Sequence, residues 1–397
     1  MKNDIMLALD SKSDVILVLL DLSAAFDTID HAILLRRLKT RFCITGKALE
    51  WIKSFLCGRS QSVSVGGSMV SDTRPLRFGV PQGSVLGPVL FSLYVTPLED
   101  IIVKNGCKTA IFADDTQVYL TCSNSTSISV IEKCVNQIRK WMCSNFLALN
   151  ETKTEVIVFS SKYTRKCEPS VQTVKIGDAK INTKTVVRNL GVLFDENVTM
   201  SQHVKNVCKN ASYALWRISK CKHLLDKDRI IKLIHAFVTC RIDYCNSLLL
   251  GCTDYQIEKL QHIQNSAARL VCGIKKTDRC HITPVLKSLH WLPVKARIIF
   301  KVICIVFQCI HSNTAPLYLK ELIVVKSSNY MSLRSDDVVT LKRPSPPRTD
   351  TYGSHAFAVR APSLWNDLPP ELRVIEVYEL FKVKLKTHLF RQYYDIL

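Results

Sequence analysis

Three aspartates are the residues of this 397-residue chain whose types and spacing can do chemistry. Asp114 and Asp115 stand side by side in FADD, residues 112–115, and Asp21 closes an apolar run, VILVLL at residues 15–20. Two adjacent carboxylates repel by roughly 4 kcal/mol at about 4 Å and an effective dielectric of about 20, so keeping both ionised calls for a counter-charge. A divalent cation supplies one. Hard carboxylate oxygens suit Mg²⁺, and two such ions about 3.5–4 Å apart clamp the attacking and leaving oxygens of an in-line phosphoryl displacement. The competing use of an Asp-Asp pair is a solvated turn, where Asp is a favoured residue.

Local elements must bring these side chains together. Ala110, Ile111 and Phe112, followed by polar-apolar alternation from Thr116 to Leu120, predict a tight β-hairpin with the two aspartates at its tip. VILVLL is β-branched and leucine-rich, long enough for a buried strand and too short for a helix, and it leaves Asp21 at the sheet edge. The three carboxylates meet if strand 15–21 lies beside hairpin 109–120. Asp27 and Asp30 are expected to cap a helix starting near His31 and stay outside the metal site. In GVPQG, residues 79–83, Gly79 and Gly83 flank Pro81 and Gln82, so the backbone can approach a ligand closely before a helix over 84–102 begins at Ser84. An ordinary strand-to-helix turn is the alternative there.

Together with FADD, VLLDLSAAFDTID at 18–30 and FGVPQGSVLGPVLF at 78–91 resemble, in order and separation, the A, B and C motifs of a reverse transcriptase palm of non-LTR (LINE-type) retrotransposons and their Jockey-like branches. The resemblance implies an α+β, right-hand polymerase fold. Its palm, an antiparallel sheet with packed helices, would occupy 1–160, with the end of the palm and a primer-grip hairpin over 161–200. A basic helical thumb would follow over 201–290 and a mostly helical C-terminal region over 291–397.

On the same resemblance Asp21, Asp114 and Asp115 hold two Mg²⁺ ions, with Mn²⁺ as the alternative, and Asp114 is a firmer ligand than Asp115. Phe26 packs under the sugar of an incoming dNTP and excludes a 2′-hydroxyl, while Gln82 and Gly83 support nucleotide and template. Lys153, in ALNETKTEVIVF at 148–159, sits near the triphosphate as a general acid for the leaving pyrophosphate. Leu190, Gly191 and Val192, in VVRNLGVLF at 186–194, grip the primer end. The plainer uses are core packing for Phe26, an exposed surface lysine for Lys153 and one more strand for 186–194. The implied partners are an RNA template, a DNA primer and dNTPs.

Composition agrees with a nucleic-acid enzyme. The chain is 47% apolar and carries 54 Lys and Arg against 34 Asp and Glu, a net charge of +20. Residues 1–150 hold 16 basic and 13 acidic side chains, whereas residues 201–300 hold 17 and 6, so the surplus lies mainly after the palm-like segment. Phosphate backbones bind such surfaces by counterion release. Residues 201–222, 227–240 and 254–273 place apolar groups at helical intervals, for example Val204, Val207, Cys208 and Ala211, with Lys205 and Lys209 elsewhere on the wheel.

Residues 291–312 predict an apolar helix too interrupted, by Lys301 and Gln308, to span a membrane. RPSPPRTD at 343–350 reads as a loop, 352–373 resembles the carboxyl-terminal tail of the same elements, and 378–391 is a basic helix. The 16 cysteines are scattered without C-x-x-C, and no secretory signal is evident, which predicts reduced thiols in a nuclear or cytoplasmic protein that is not secreted. Cys272, Cys280 and His281 lack a fourth metal ligand.

Only 20 residues precede Asp21, where the family has a fingers subdomain and, further upstream, commonly an endonuclease. The expectation is a chain truncated at its amino end, or an incomplete gene model, with weak or no turnover. Two other functions stay open: an inert remnant that binds nucleic acid, and an RNA-templated RNA polymerase or intron-maturase relative, which Phe26 disfavours.

Overall fold

The computed structural model describes all residues except 68, 123–126, 162–171, 178, 276–277, 279, 327–337, 345–351 and 395–397. Most of the proline-rich 343–350 segment therefore lies outside the described residues. The chain forms two compact units, Lys12–Leu190 and a second built from Met1–Ser11 with Gly191–Leu397.

The first unit is organised around one six-stranded sheet. Its strands are β1 (Asp14–Leu20), β2 (Lys108–Phe112), β3 (Asp115–Cys122), β4 (Glu155–Phe159), β5 (Thr173–Ile176) and β6 (Ala179–Lys184), in the order β5-β6-β4-β1-β3-β2. All pairings are antiparallel except β4 with β6. β1 sits between β3 and β4, and its side chains are buried on both faces, Val15 and Leu17 as well as Ile16 and Val18, which is why its sequence is a continuous apolar run rather than an alternation. Its even-numbered side chains Ile16, Val18 and Leu20 join Val118, Val156 and Val158 in one buried cluster.

Helices cover that cluster. They are α1 (His31–Arg41), α2 (Gly46–Leu56), α3 (Gly87–Val95), α4 (Pro97–Lys104) and α5 (Ser127–Ser144), and they contribute Leu34, Leu38, Leu90, Phe91, Tyr94, Ile131, Val135 and Ile138 to it. The helix expected over 84–102 is two helices. The first ends at Val95, and Pro97 opens the second, because proline has no N–H to give the preceding turn and fits the first helical position. Asp30 caps α1 as expected, its Oδ1 accepting the Ile33 backbone N–H at 2.7 Å. Asp27 lies in the turn before it, its own N–H donated to Ala24 O.

The second unit is helical. Its long members are α6 (Ser201–Cys221), α7 (Lys227–Ile234, running through a π turn at His235–Thr239 into Cys240–Asp243), α8 (Asp254–Val271), α9 (Val294–His311), α10 (Phe357–Asn366) and α11 (Tyr378–Tyr394). An aromatic core joins the last three: Phe307 stacks on Phe381 with ring centroids 4.3 Å apart, and Trp365 lies 5.7 Å from Phe381. The helix Lys2–Asp10 belongs here too, with Asn3 Oδ1 accepting the Ala358 N–H at 2.9 Å. No helix among the described residues is long and apolar enough to cross a membrane.

Replacing Asp30 with Ala is expected to cost about 1 kcal/mol of unfolding free energy through loss of the α1 cap. Urea denaturation monitored by circular dichroism measures it, and an unchanged midpoint contradicts the cap.

Candidate active site

The site lies wholly within the first unit, at the β1–β3 edge of the sheet. Register brings the carboxylates there. Leu19 pairs with Gln117 and Leu20 with Thr116, so one residue further along Asp21 stands across from Asp115. β2 and β3 form the expected hairpin, with Phe112 paired to Asp115 and only Ala113 and Asp114 in the turn. Ala113 takes φ +51°, a left-handed conformation that costs an alanine roughly 1–2 kcal/mol. That strain is spent turning the chain so tightly that Asp114 and Asp115 stay consecutive at the sheet edge.

The electrostatics follow from this crowding. Burial, then the charges of Asp114 and Asp21, push the Asp115 carboxyl above its ordinary range. Asp21 Oδ2 is buried without a hydrogen-bond partner among the described residues, as is Thr116 Oγ1 beside Asp115. The cation facing Asp21 is Lys153, its Nζ 3.6 Å from Oδ2.

Lys153 is placed by a turn that composition and periodicity did not reveal. The Asn150 N–H donates to Asp21 O at 2.8 Å, while Asn150 Oδ1 accepts the Lys153 N–H at 3.2 Å and the Thr152 hydroxyl at 2.7 Å. Asn150 is thus a positioning residue absent from the sequence expectations. Asn two residues ahead of Thr152, just before a strand, is the Asx-turn signal that could have found it.

Phe26 lies beneath the second motif. Its ring packs on Phe91 at 5.2 Å between centroids, half-buried against the core. The two motif loops are zipped together by the Gly79 N–H to Ile29 O and the Val80 N–H to Phe26 O, each 2.8 Å, and by buried His31, whose Nε2 is 2.7 Å from Gly79 O. Gly79 adopts φ +85°, and a Cβ there would meet Asp27 O at 2.9 Å and Phe26 O at 3.0 Å, so no larger residue fits. Gln82 and Gly83 are exposed on the same loop, with open space over Gly83. Ser84 Oγ accepts the Gly87 N–H at 3.1 Å and donates to Pro81 O at 2.7 Å, tightening the turn into α3.

The structure thus gathers Asp21, Asp114, Asp115 and Lys153 at one edge, and holds Phe26, Gln82 and Gly83 on two adjoined loops. Leu190 and Gly191 lie between strands Val186–Asn189 and Val192–Asp195 with φ +45° and +80°, the paired positive values of a two-residue hairpin turn. Val192 is buried and Leu190 is exposed. They fall at the limit between the two units.

The donor chemistry fits a divalent cation: hard oxygens, a buried oxygen lacking a hydrogen bond, and a carboxyl whose ionisation its neighbours oppose. As the side chains stand, no three His, Cys, Asp or Glu among the described residues are arranged to hold a metal ion. Cys272, Cys280 and His281 form no such group either.

Carboxylates at the end of a central antiparallel strand and beside a tight hairpin, with an aromatic on a glycine-buttressed loop, are the arrangement that the sequence motifs led us to expect of a palm. Residues 3–194, just under half of the chain, match the family model for reverse transcriptase (RNA-dependent DNA polymerase). Over those residues the chain is similar to reverse transcriptases, and its relatives are RNA-directed DNA polymerases of non-LTR retrotransposons, Jockey-like ones among them. Among its relatives is a probable RNA-directed DNA polymerase from transposon X-element of Drosophila melanogaster, 30% identical over 278 residues, which are 68% of this chain and 29% of that protein. Another is the RNA-directed DNA polymerase from mobile element jockey of the same fly, 30% identical over 213 residues, 50% of this chain and 22% of that protein. The chain spans less than a third of either relative. Solved structures similar to it include telomerase from Candida albicans with a TWJ fragment of telomeric RNA (TM-score 0.38, 14% identity, 72% of this chain and 43% of that one) and apo telomerase from Candida tropicalis (0.39, 8%, 80% and 56%). Overlap at that level carries no weight for the site.

Two outcomes test this geometry. Gly79→Ala is expected to destabilise the chain by about 1–3 kcal/mol, because the left-handed backbone is strained for alanine and the Cβ meets two carbonyl oxygens. An unchanged denaturation midpoint would contradict the zipped loops. A carboxyl raised in the folded state binds more protons folded than unfolded, so the stability it contributes is present at low pH and falls as pH rises from the ordinary Asp range through the raised value. The stability of wild type relative to Asp115→Asn should therefore decline with rising pH in metal-free buffer, and a difference that stays flat or rises contradicts it.

Proposed function

We propose that this chain carries the palm of an RNA-directed DNA polymerase in which a primer 3′-hydroxyl attacks the α-phosphate of a dNTP on an RNA template. The observation that carries the reading is the register that sets Asp21 across from Asp115 beside Asp114. Divalent metal ions are general to reverse transcriptases; here two Mg²⁺ ions held by Asp21 and Asp114, with Asp115 assisting, would neutralise charge on the attacking and leaving oxygens.

The protein's own groups supply the rest. Phe26, braced by Phe91, presents an apolar ring where a 2′-hydroxyl would be left without a hydrogen bond, which disfavours ribonucleotides. Gln82 and the open backbone at Gly83 support nucleotide and template. Lys153 turns from Asp21 to the departing pyrophosphate and donates a proton to it. Leu190, Gly191 and Val192 contact the primer end, the palm runs to residue 200, and helices within 201–290 act as the thumb. The work is done inside the cell, in nucleus or cytoplasm, where the cysteines stay reduced.

Asp114→Asn is expected to abolish primer extension in any form of the chain that is active, and to shrink the rise in melting temperature that MgCl₂ gives the wild type. Near-full extension by Asp114→Asn, or an undiminished Mg²⁺ response, would overturn the metal assignment. Competition between dNTP and rNTP reports on Phe26: Phe26→Ala should raise ribonucleotide incorporation.

A further inference from the structure

A pair of buried amides lies next to the carboxylates. Gln117 and Asn189 are 4% and 8% exposed, and Gln117 Nε2 donates to Asn189 Oδ1 at 2.7 Å. Side chains two apart on a strand share a face, so Gln117 stands on the face of Asp115, about 7 Å further along β3. Leu19 lies across from it on β1, one pair inward of Asp21 and Asp115. The next residue on that face of β3 is Tyr119, also buried.

Asn189 ends the strand Val186–Asn189 and is followed by the turn at Leu190 and Gly191. In that strand Val187 and Asn189 are buried while Arg188 is exposed, so Asn189 occupies a position where alternation calls for an apolar side chain. No backbone ladder joins this strand to β3 among the described residues, which leaves their spacing to side chains.

An unpartnered buried amide is costly, and two apolar side chains of similar size would fill the same space without that demand. What the polar pair adds is direction. An N–H donor meets its acceptor oxygen within a narrow range of length and angle, and a satisfied buried pair makes the local arrangement rigid and unique. The bond ties β3, two residues past Asp115, to the last residue before Leu190, 72 positions later in the chain. We propose that the Gln117–Asn189 hydrogen bond holds the start of the primer-end turn at a fixed distance from Asp21 and Asp115, which makes both amides positioning residues for attack by the primer 3′-hydroxyl. This rests on the catalytic reading above. Neither amide touches substrate in it; they act through where they put Leu190. A misplacement of about 1 Å at the reacting atoms costs on the order of a hundredfold in rate.

Gln117→Met with Asn189→Leu removes the bond and keeps the volume. Asn189→Leu alone strands the Gln117 amide and should lower the melting temperature, whereas the double variant should melt with the wild type. On the full chain the double variant should exchange the backbone amides of residues 186–190 faster than wild type. It should also lower kcat for primer extension by roughly ten- to a hundredfold, with KM for dNTP unchanged. Gln117→Asn with Asn189→Gln returns an amide pair of the same combined length and should restore most of the kcat and the slow exchange. A role in stability alone would move activity only in step with melting temperature. The proposal is overturned if the double apolar variant keeps either the wild-type kcat or the wild-type exchange at 186–190, or if its loss falls on KM for dNTP. Should that variant melt lower, the exchanged amide pair decides, and failure to restore kcat at a wild-type melting temperature overturns the proposal. If the wild-type chain extends no primer, the catalytic reading fails for this chain and the exchange comparison alone decides the bond. Asp114→Asn should stop extension while leaving exchange at 186–190 as it was, so the two failures are separate results.

Discussion

Pairing of β1 with β3 is the constraint on which the site depends. The strands are held by burial of Ile16, Val18, Leu20 and Val118, and the register that this burial selects carries Asp21 to a position opposite Asp115. A slip of one residue would turn every β1 side chain to the other face, and because β4 pairs with the far edge of β1, two ladders would have to break together. Apolar packing therefore brings together three like charges that would separate if left to themselves. The raised Asp115 carboxyl and the Asp21 oxygen that has no hydrogen bond among the described residues are the visible cost of that arrangement.

Around this edge the chain adds supports that act on backbone rather than on the charges. The loop after β1 is tied to Gly79 and Val80 by main-chain hydrogen bonds, and the absence of a side chain at Gly79 is what lets the two backbones approach. Phe26 then rests on Phe91 at the start of the helical layer, so its ring is fixed by the same cluster that fixes β1. On the opposite side the Asn150 turn clasps the carbonyl of Asp21 itself and brings Lys153 over its carboxylate. A cation that is 70% exposed at its side chain and held at 3.6 Å is only weakly bound to its carboxylate.

The helical unit is held by different means. Phe307, Trp365 and Phe381 form a stacked and tilted aromatic centre among α9, α10 and α11, and the amino-terminal helix Lys2–Asp10 joins it through Asn3. Its α6 divides its faces: His203 with small and aliphatic residues inward, lysines and the rings of Tyr213 and Trp216 outward. The inward half follows from burial alone. The outward aromatics do not, since nothing in folding rewards leaving Tyr213 and Trp216 in water.

Periodicity and local chemistry were enough to read the strand ending at Asp21, the FADD hairpin, the Asp30 cap and the helices beginning near 201, 254 and 294, because each is specified by residues within one or two turns of each other. The motif order carried the family. The break between α3 and α4 had its signal in Pro97, which the expectation of one helix over 84–102 passed over. Contacts between segments far apart in sequence had no local trace: Asn150 holding Asp21, His31 reaching Gly79, the stranded Oδ2 of Asp21, and Lys2–Asp10 joining residues beyond 190. Such contacts arise when separate elements compete for the same buried space, and a linear pattern records what each element prefers without recording which neighbour it meets.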